Sequence, residues 1–166
     1  APRRSQAMRM IIDSFLPEGI TQIAVDSIFM MPQLGVLSTF HEEAALEVFN
    51  KDCLIKLGTC SSPCQSYKKN KLLFKYEIVI NDVKHEGAIH SGELLMLPAG
   101  IGEYKSIIKT ENNVDIGYGK GNHFEGFING GEVGIILDGR GRKIIFEEDY
   151  DNRIAQILDW SYKTNE

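Results

Sequence analysis

The chain has 166 residues, 43% of them apolar and 25% charged, a balance that supports one continuous core and argues against disorder. Eighteen basic against 23 acidic residues leave a net charge of −5, so no overall field draws in phosphate backbones or anionic lipid, and nucleic acid is not an expected partner. The longest apolar runs, such as Ile28–Met31 and Leu94–Leu97, fall far short of the roughly 20 residues that a spanning helix needs, so no membrane is expected either.

The chain opens Ala1-Pro2-Arg3-Arg4 without a methionine. Asp13 interrupts the stretch from Met8 to Leu16 before any secretory apolar segment forms, so residue 1 reads as an internal cut in a longer polypeptide. Ala7, Met8, Ile11, Ile12, Phe15 and Leu16 recur at helical spacing, with Arg3, Arg4, Arg9 and Asp13 on the other face. Pro17 and Gly19 stop that helix, and Ile20 to Val25 reads as a short strand ending at Asp26. Asp26 or Ser27 can cap a further helical segment in which Pro32 must sit in the first turn. His41 to Phe49 reads as a second amphipathic helix, with acidic residues in its first turn where the helix dipole favours them.

From Cys53 the period changes to two. Leu72, Phe74, Tyr76, Ile78 and Ile80 share one face of a strand, and Asn81-Asp82 turns the chain into Val83–Ile89. Further strands are expected over Glu93–Leu97, Tyr104–Lys109, Phe124–Ile128 and Val133–Leu137, the last two flanking Asn129-Gly130-Gly131 as the strongest hairpin signal. Thirteen of the 16 glycines fall between Gly87 and Gly141, which marks this half as turn-rich β structure. A final helix from Asp149 to about Tyr162 brings Ile154, Ile157, Leu158 and Trp160 to the core. The expected fold class is therefore α+β. A helix–strand–helix unit over residues 1–50 is followed by a glycine-rich antiparallel β barrel or sandwich over 51–148, and then by a C-terminal helix over 149–166.

Three candidate sites stand out. Cys53, Cys60 and Cys64 are separated by seven and four positions, and only Cys60/Cys64 approaches the spacing of paired zinc thiolates; ordinary thiols are the expectation, with a metal or redox pair as the alternative. An odd, small number of cysteines suits a reducing compartment, hence a cytoplasmic location. Gly117-Tyr118-Gly119-Lys120-Gly121 has the composition of a phosphate cradle, but it leads into an expected strand and not the helix such a loop requires, so a β turn is favoured. Arg140, Arg142 and Lys143 make a compact basic turn, either solvated and balanced by Glu147, Glu148 and Asp149, or a partner-contact surface at a hairpin tip. No catalytic triad, metalloprotease helix or Walker loop can be assembled, so no catalytic and no metal-ligating residue is assigned.

Asp26-Ser27-Ile28-Phe29-Met30-Met31-Pro32-Gln33-Leu34-Gly35-Val36-Leu37-Ser38, within the longer stretch from Ala1 to Phe49, resembles the C-terminal part of the MutL/GlmL-like accessory proteins of cobalamin-dependent mutases. Glu132-Val133-Gly134-Ile135-Ile136-Leu137-Asp138-Gly139-Arg140-Gly141-Arg142 does so as well. The resemblance implies an actin-like ATPase superfamily parent that binds ATP and magnesium between two lobes and assembles or reactivates the mutase. Mutase subunits and the parent's N-terminal lobes are then the implied partners. The nucleotide-binding loops are absent from these 166 residues, so this stretch is expected to be non-catalytic and to need no cofactor of its own. The rival hypotheses are a small-ligand or metal-binding β barrel without a chaperone role, and an enzyme fragment completed by residues outside it.

Overall fold

The computed structural model describes residues 3–164, so Ala1 and Pro2 of the resembling stretch lie outside the described residues, as do Asn165 and Glu166. Four α-helices and eight strands follow one another as α1 (Arg4–Phe15), β1 (Gly19–Asp26), α2 (Met31–Ser38), α3 (Glu42–Val48), β2 (Leu54–Ser62), β3 (Leu72–Ile80), β4 (Val83–His90), β5 (Leu94–Leu97), β6 (Glu103–Thr110), β7 (Phe124–Asn129), β8 (Gly134–Asp138) and α4 (Tyr150–Lys163). A single π-turn, Phe49–Cys53, joins α3 to β2.

The strands form two four-stranded sheets, β1-β2-β8-β5 and β4-β3-β6-β7. The expected α+β class holds, but the β part is a sandwich and not a closed barrel. Nor is it wholly antiparallel, because β2 and β8 run parallel, with Gly58–Ser61 opposite Gly134–Leu137. Pairing of β1 with β2 crosses the sequence boundary at residue 50.

Alternation decides what lies between the sheets. Leu73, Phe74, Ile78, Ile108 and Ile128 from one sheet meet Leu97, Ile135 and Leu137 from the other. The opposite face of β1-β2-β8-β5 is covered as well. Ile23, Leu57, Cys60, Leu94 and Ile136 pack against Met8 and Ile12 of α1 and Trp160 of α4. That sheet is therefore buried on both sides, which explains why β8 is a continuous buried run and not an alternating one. Of the four residues expected to anchor α4, only Trp160 is buried; Ile154 and Leu158 face outward.

β2, at the centre of this sheet, has no counterpart among the expected strands. Its inner half is Gly58-Thr59-Cys60-Ser61-Ser62, small and polar, so it carries no alternating apolar signal although all five residues are buried. Small residues are needed there because β2 and β8 approach at Gly58 and Gly134, both with positive φ. A Cβ on Gly58 would overlap the Gly134 carbonyl, and one on Gly134 would overlap that of Leu97.

Asn129-Gly130-Gly131 does not close a hairpin. β7 pairs with β6, whereas β8 pairs with β2 and β5, so this tripeptide carries the chain from one sheet to the other. Gly130 N–H donates to Gly102 O and Gly131 N–H to Ala99 O, in a passage too tight for side chains. Asn81-Asp82, in contrast, forms the expected turn with φ of 50° and 63° at its two positions, the left-handed pair of a type I′ hairpin.

Gly58→Ala is expected to destabilise the fold by about 3 kcal/mol or more through overlap at the β2–β8 seam. Urea denaturation monitored by Trp160 fluorescence measures it; a loss below about 1 kcal/mol would mean that the seam has room to separate.

Candidate functional site

Two regions use residues singled out in the sequence, and they sit at opposite ends of the β1-β2-β8 sheet. One end holds the arginines. Asp138 closes β8 and is completely buried. Its Oδ1 accepts from the backbone N–H and Nε of Arg140 at 2.9 and 3.0 Å, and its Oδ2 from Arg140 Nη2 at 2.9 Å and Arg142 Nη1 at 3.3 Å. Arg140 Nη2 also meets Asp13 Oδ1 of α1 at 2.7 Å, and Arg9 Nε donates to Asp13 Oδ2 at 2.8 Å. Arg142 Nε donates to the Pro17 carbonyl. The indole of Trp160 packs against the guanidiniums of Arg9 and Arg140, at 5.7 and 5.1 Å from its ring centre, and its Nε1 donates to Gly92 O.

This arrangement corrects both sequence expectations for the turn. The side chains of Arg140 and Arg142 are 1% and 3% exposed, so they form neither a solvated turn nor a surface contact at a hairpin tip. Their counter-charges are Asp138 and Asp13, not Glu147, Glu148 or Asp149. Lys143 alone of the three candidate residues is exposed. On α1, Arg9 is buried and Phe15 exposed, the reverse of the helical-face assignment, because Arg9 is drawn in by Asp13 and Trp160. The cluster joins α1, β8 and α4.

The cysteines are free thiols, Cys53 and Cys60 buried and Cys64 half-buried. Burial and the neighbouring Asp138 push the Cys60 thiol up to about 12, against the lowering effect of Arg142 and Arg140. Among the described residues no group of three or more His, Cys, Asp or Glu side chains converges as a metal site would require. The Gly117–Gly121 loop is a turn between β6 and β7, with Asp115 Oδ1 accepting from the N–H groups of Gly117 and Gly119, and no helix follows it. No helix among the described residues is long and apolar enough to cross a membrane.

The other end is exposed. At the tip of the β1–β2 ribbon the chain makes a helical excursion, α2 and α3, which pack on each other. Its neck is closed where Ser27 donates from both N–H and Oγ to the Cys53 carbonyl, each at 3.0 Å. Asp26 starts the excursion, its carboxylate accepting from Ile28 N–H at 3.1 Å and Met31 N–H at 3.3 Å, with Pro32 in the first turn of α2 as expected. Within the two helices only Leu34 and Ala45 are buried. Ile28, Phe29, Met31, Val36, Phe40 and Leu46 are exposed, Phe29 at 82% and Phe40 at 78%. Between the helices runs a groove of about 520 Å³, lined by Met31, Leu34, Gly35, Ala45, Leu46 and Phe49 among others. A concentrated apolar surface of this kind marks a contact site.

Comparison with protein-family models, curated proteins and solved structures finds no match for this chain.

Asp138→Asn is expected to cost about 3–5 kcal/mol, because it leaves buried guanidiniums without their charge partner. Burial alone would raise the Asp138 carboxyl, but the charges and hydrogen bonds of Arg140 and Arg142 hold it below the ordinary aspartate value. Its stabilising contribution is then complete above the unfolded-chain value, about 4, and is lost as pH falls through the lower folded value. Denaturant titrations between pH 7 and pH 2 test the sign: the acid loss of stability should be shallower in Asp138→Asn, and an unchanged slope would remove Asp138 from the account. Native alkylation at pH 8, followed by mass spectrometry, should modify Cys64 well before Cys60; the reverse order would show that the sheet opens at β2.

Proposed function

We propose that the chain is a non-catalytic C-terminal module of an actin-like ATPase that assembles or reactivates a cobalamin-dependent amino-acid mutase, and that it acts through protein contact. The observation that supports this reading is the exposed apolar α2–α3 excursion. It includes Met30 to Ser38, a distinctive part of the resemblance to MutL/GlmL-like accessory proteins. The second resembling stretch, Glu132 to Arg142, is buried scaffold from Val133 to Gly141. In this reading the scaffold holds the module rigid, the excursion makes contact, and ATP with magnesium is handled by the parent's preceding lobes.

Two measurements test it. In the full-length parent, replacing Phe29 and Phe40 together by Asp should lower co-purification of the mutase subunits, and ATP-dependent recovery of inactivated mutase, by about tenfold or more, as expected for loss of aromatic anchors. Unchanged recovery would overturn the contact role. Calorimetry of this chain with ATP and magnesium should give no binding, because phosphate-cradling amides and a metal-holding carboxylate are not assembled among the described residues; micromolar binding would overturn the non-catalytic assignment.

A further inference from the structure

The α2–α3 excursion has three features that its own fold does not need. Phe29 sits at φ 55°, in the left-handed region that is unfavourable for an aromatic residue, yet its side chain packs against almost nothing. The Asp26 carboxylate holds this turn through the N–H groups on either side of it. Strain of this kind persists where the surroundings impose it and is concentrated at binding sites.

Gly35 is the second feature. It lies in the interior of α2, where glycine is less favourable than alanine. A Cβ built there meets nothing within 4 Å. Intramolecular packing therefore does not require glycine at this position. What the missing side chain leaves is an open stretch of helix backbone on the groove wall, which permits close approach by something outside the chain.

Charge is the third. From Ser27 to Asn50 there is no Lys or Arg, whereas Glu42 lines the groove and Glu43 and Glu47 stand exposed elsewhere on α3. A second copy of this face would set these carboxylates against themselves. A partner with positive charge beside its apolar stripe complements them, and such complementarity governs both encounter rate and partner choice. Eight residues of α2 make the groove about 12 Å long, a length that a helix of two to three turns fills.

We infer that the α2–α3 groove is a docking site for an amphipathic helix of another polypeptide, one that carries Lys or Arg flanking its apolar stripe and crosses α2 at Gly35, with Phe29 as the anchor against it. This inference rests on the contact-module reading above and specifies the chemistry of the contact.

The test uses the whole chain and a fluorescein-labelled synthetic amphipathic helix with leucines at helical spacing flanked by lysines, beside a twin with glutamates replacing the lysines. In low-salt anisotropy titrations the lysine peptide should bind about tenfold or more tightly than its twin, with the difference shrinking as salt is added. Amide shifts should centre on residues 27–53. Gly35→Leu should weaken binding about tenfold or more while its melting temperature is no lower than that of the parent chain, because leucine is the better helix former. Phe29→Ala should weaken it as well. Equal affinity for the two peptides, no binding, or affinity indifferent to Gly35→Leu would overturn the inference. So would a dimer in sedimentation equilibrium that Gly35→Leu dissociates, since the occupant would then be a second copy. The mutase co-purification above is run in parallel with the full-length parent carrying Gly35→Leu. If mutase is retained while the peptides fail, only this inference falls; if the peptides bind as expected but the unaltered parent never retains mutase, only the functional reading falls.

Discussion

Asp138 is a carboxylate with no access to water, held ionised by two arginines that are themselves almost completely enclosed. Neither sign of charge is tolerable alone at this depth, since an unpaired buried ion costs several kcal/mol after relaxation. The neighbouring elements are therefore arranged to complete the pairing. Arg140 reaches through Asp138 to Asp13 on α1, Arg142 reaches the Pro17 carbonyl, and Trp160 of α4 covers Arg9 and Arg140 with its ring faces. Three guanidiniums stand against two carboxylates, and the indole of Trp160 adds a ring face against two of them, Arg9 and Arg140. The helical layer is attached to the sandwich through this cluster as much as through Met8 and Ile12.

The same sheet distributes rigidity unevenly. Along its middle, β2 and β8 are pressed together without side chains at Gly58 and Gly134, four residues before Asp138, and helices cover the outer face. At the Asp26 end, the β1–β2 ribbon runs out into α2 and α3, whose buried contacts are few and whose neck depends on Ser27 and Cys53. Two short helices that bury one residue each gain little from their own packing. They are best understood as a contact element carried on a stiff support, which is why the exposed aromatics and the strained turn all fall there.

Local chemistry in the sequence was sufficient where the signal was periodic or the turn was short-range. Leu72 to Ile80 alternates and is a strand; Asn81-Asp82 is a turn because both residues tolerate positive φ; Pro32 sits in the first turn of α2, which begins at Met31 after Met30 as its cap and not at Asp26 or Ser27. It was insufficient where a signal depended on neighbours distant in the chain. β2 was missed because a strand buried on both faces and pressed against another backbone is built from Gly, Thr, Cys and Ser, which read as a loop. Asn129-Gly130-Gly131 has the composition of a hairpin, but its glycines serve a passage between sheets, and composition does not distinguish the two uses.

By itself, the sequence determined that this is an α+β chain with helices at both ends and short strands between, because side-chain periodicity and backbone preference act over a few residues. Asp26–Ser38 stood out through its resemblance to a known family, and the Arg140 turn through its concentration of basic charge. Only the tertiary structure decided which of the two stretches faces the solvent. Arg140 and Arg142 look like surface by charge and Ile28, Phe29 and Met31 look like core by hydropathy, and the fold reverses both. The physical reason is that burial depends on what the rest of the chain brings to a site. Asp13, Asp138 and Trp160, far apart in sequence, make burial of the arginines tolerable, while no described element comes to cover Phe29.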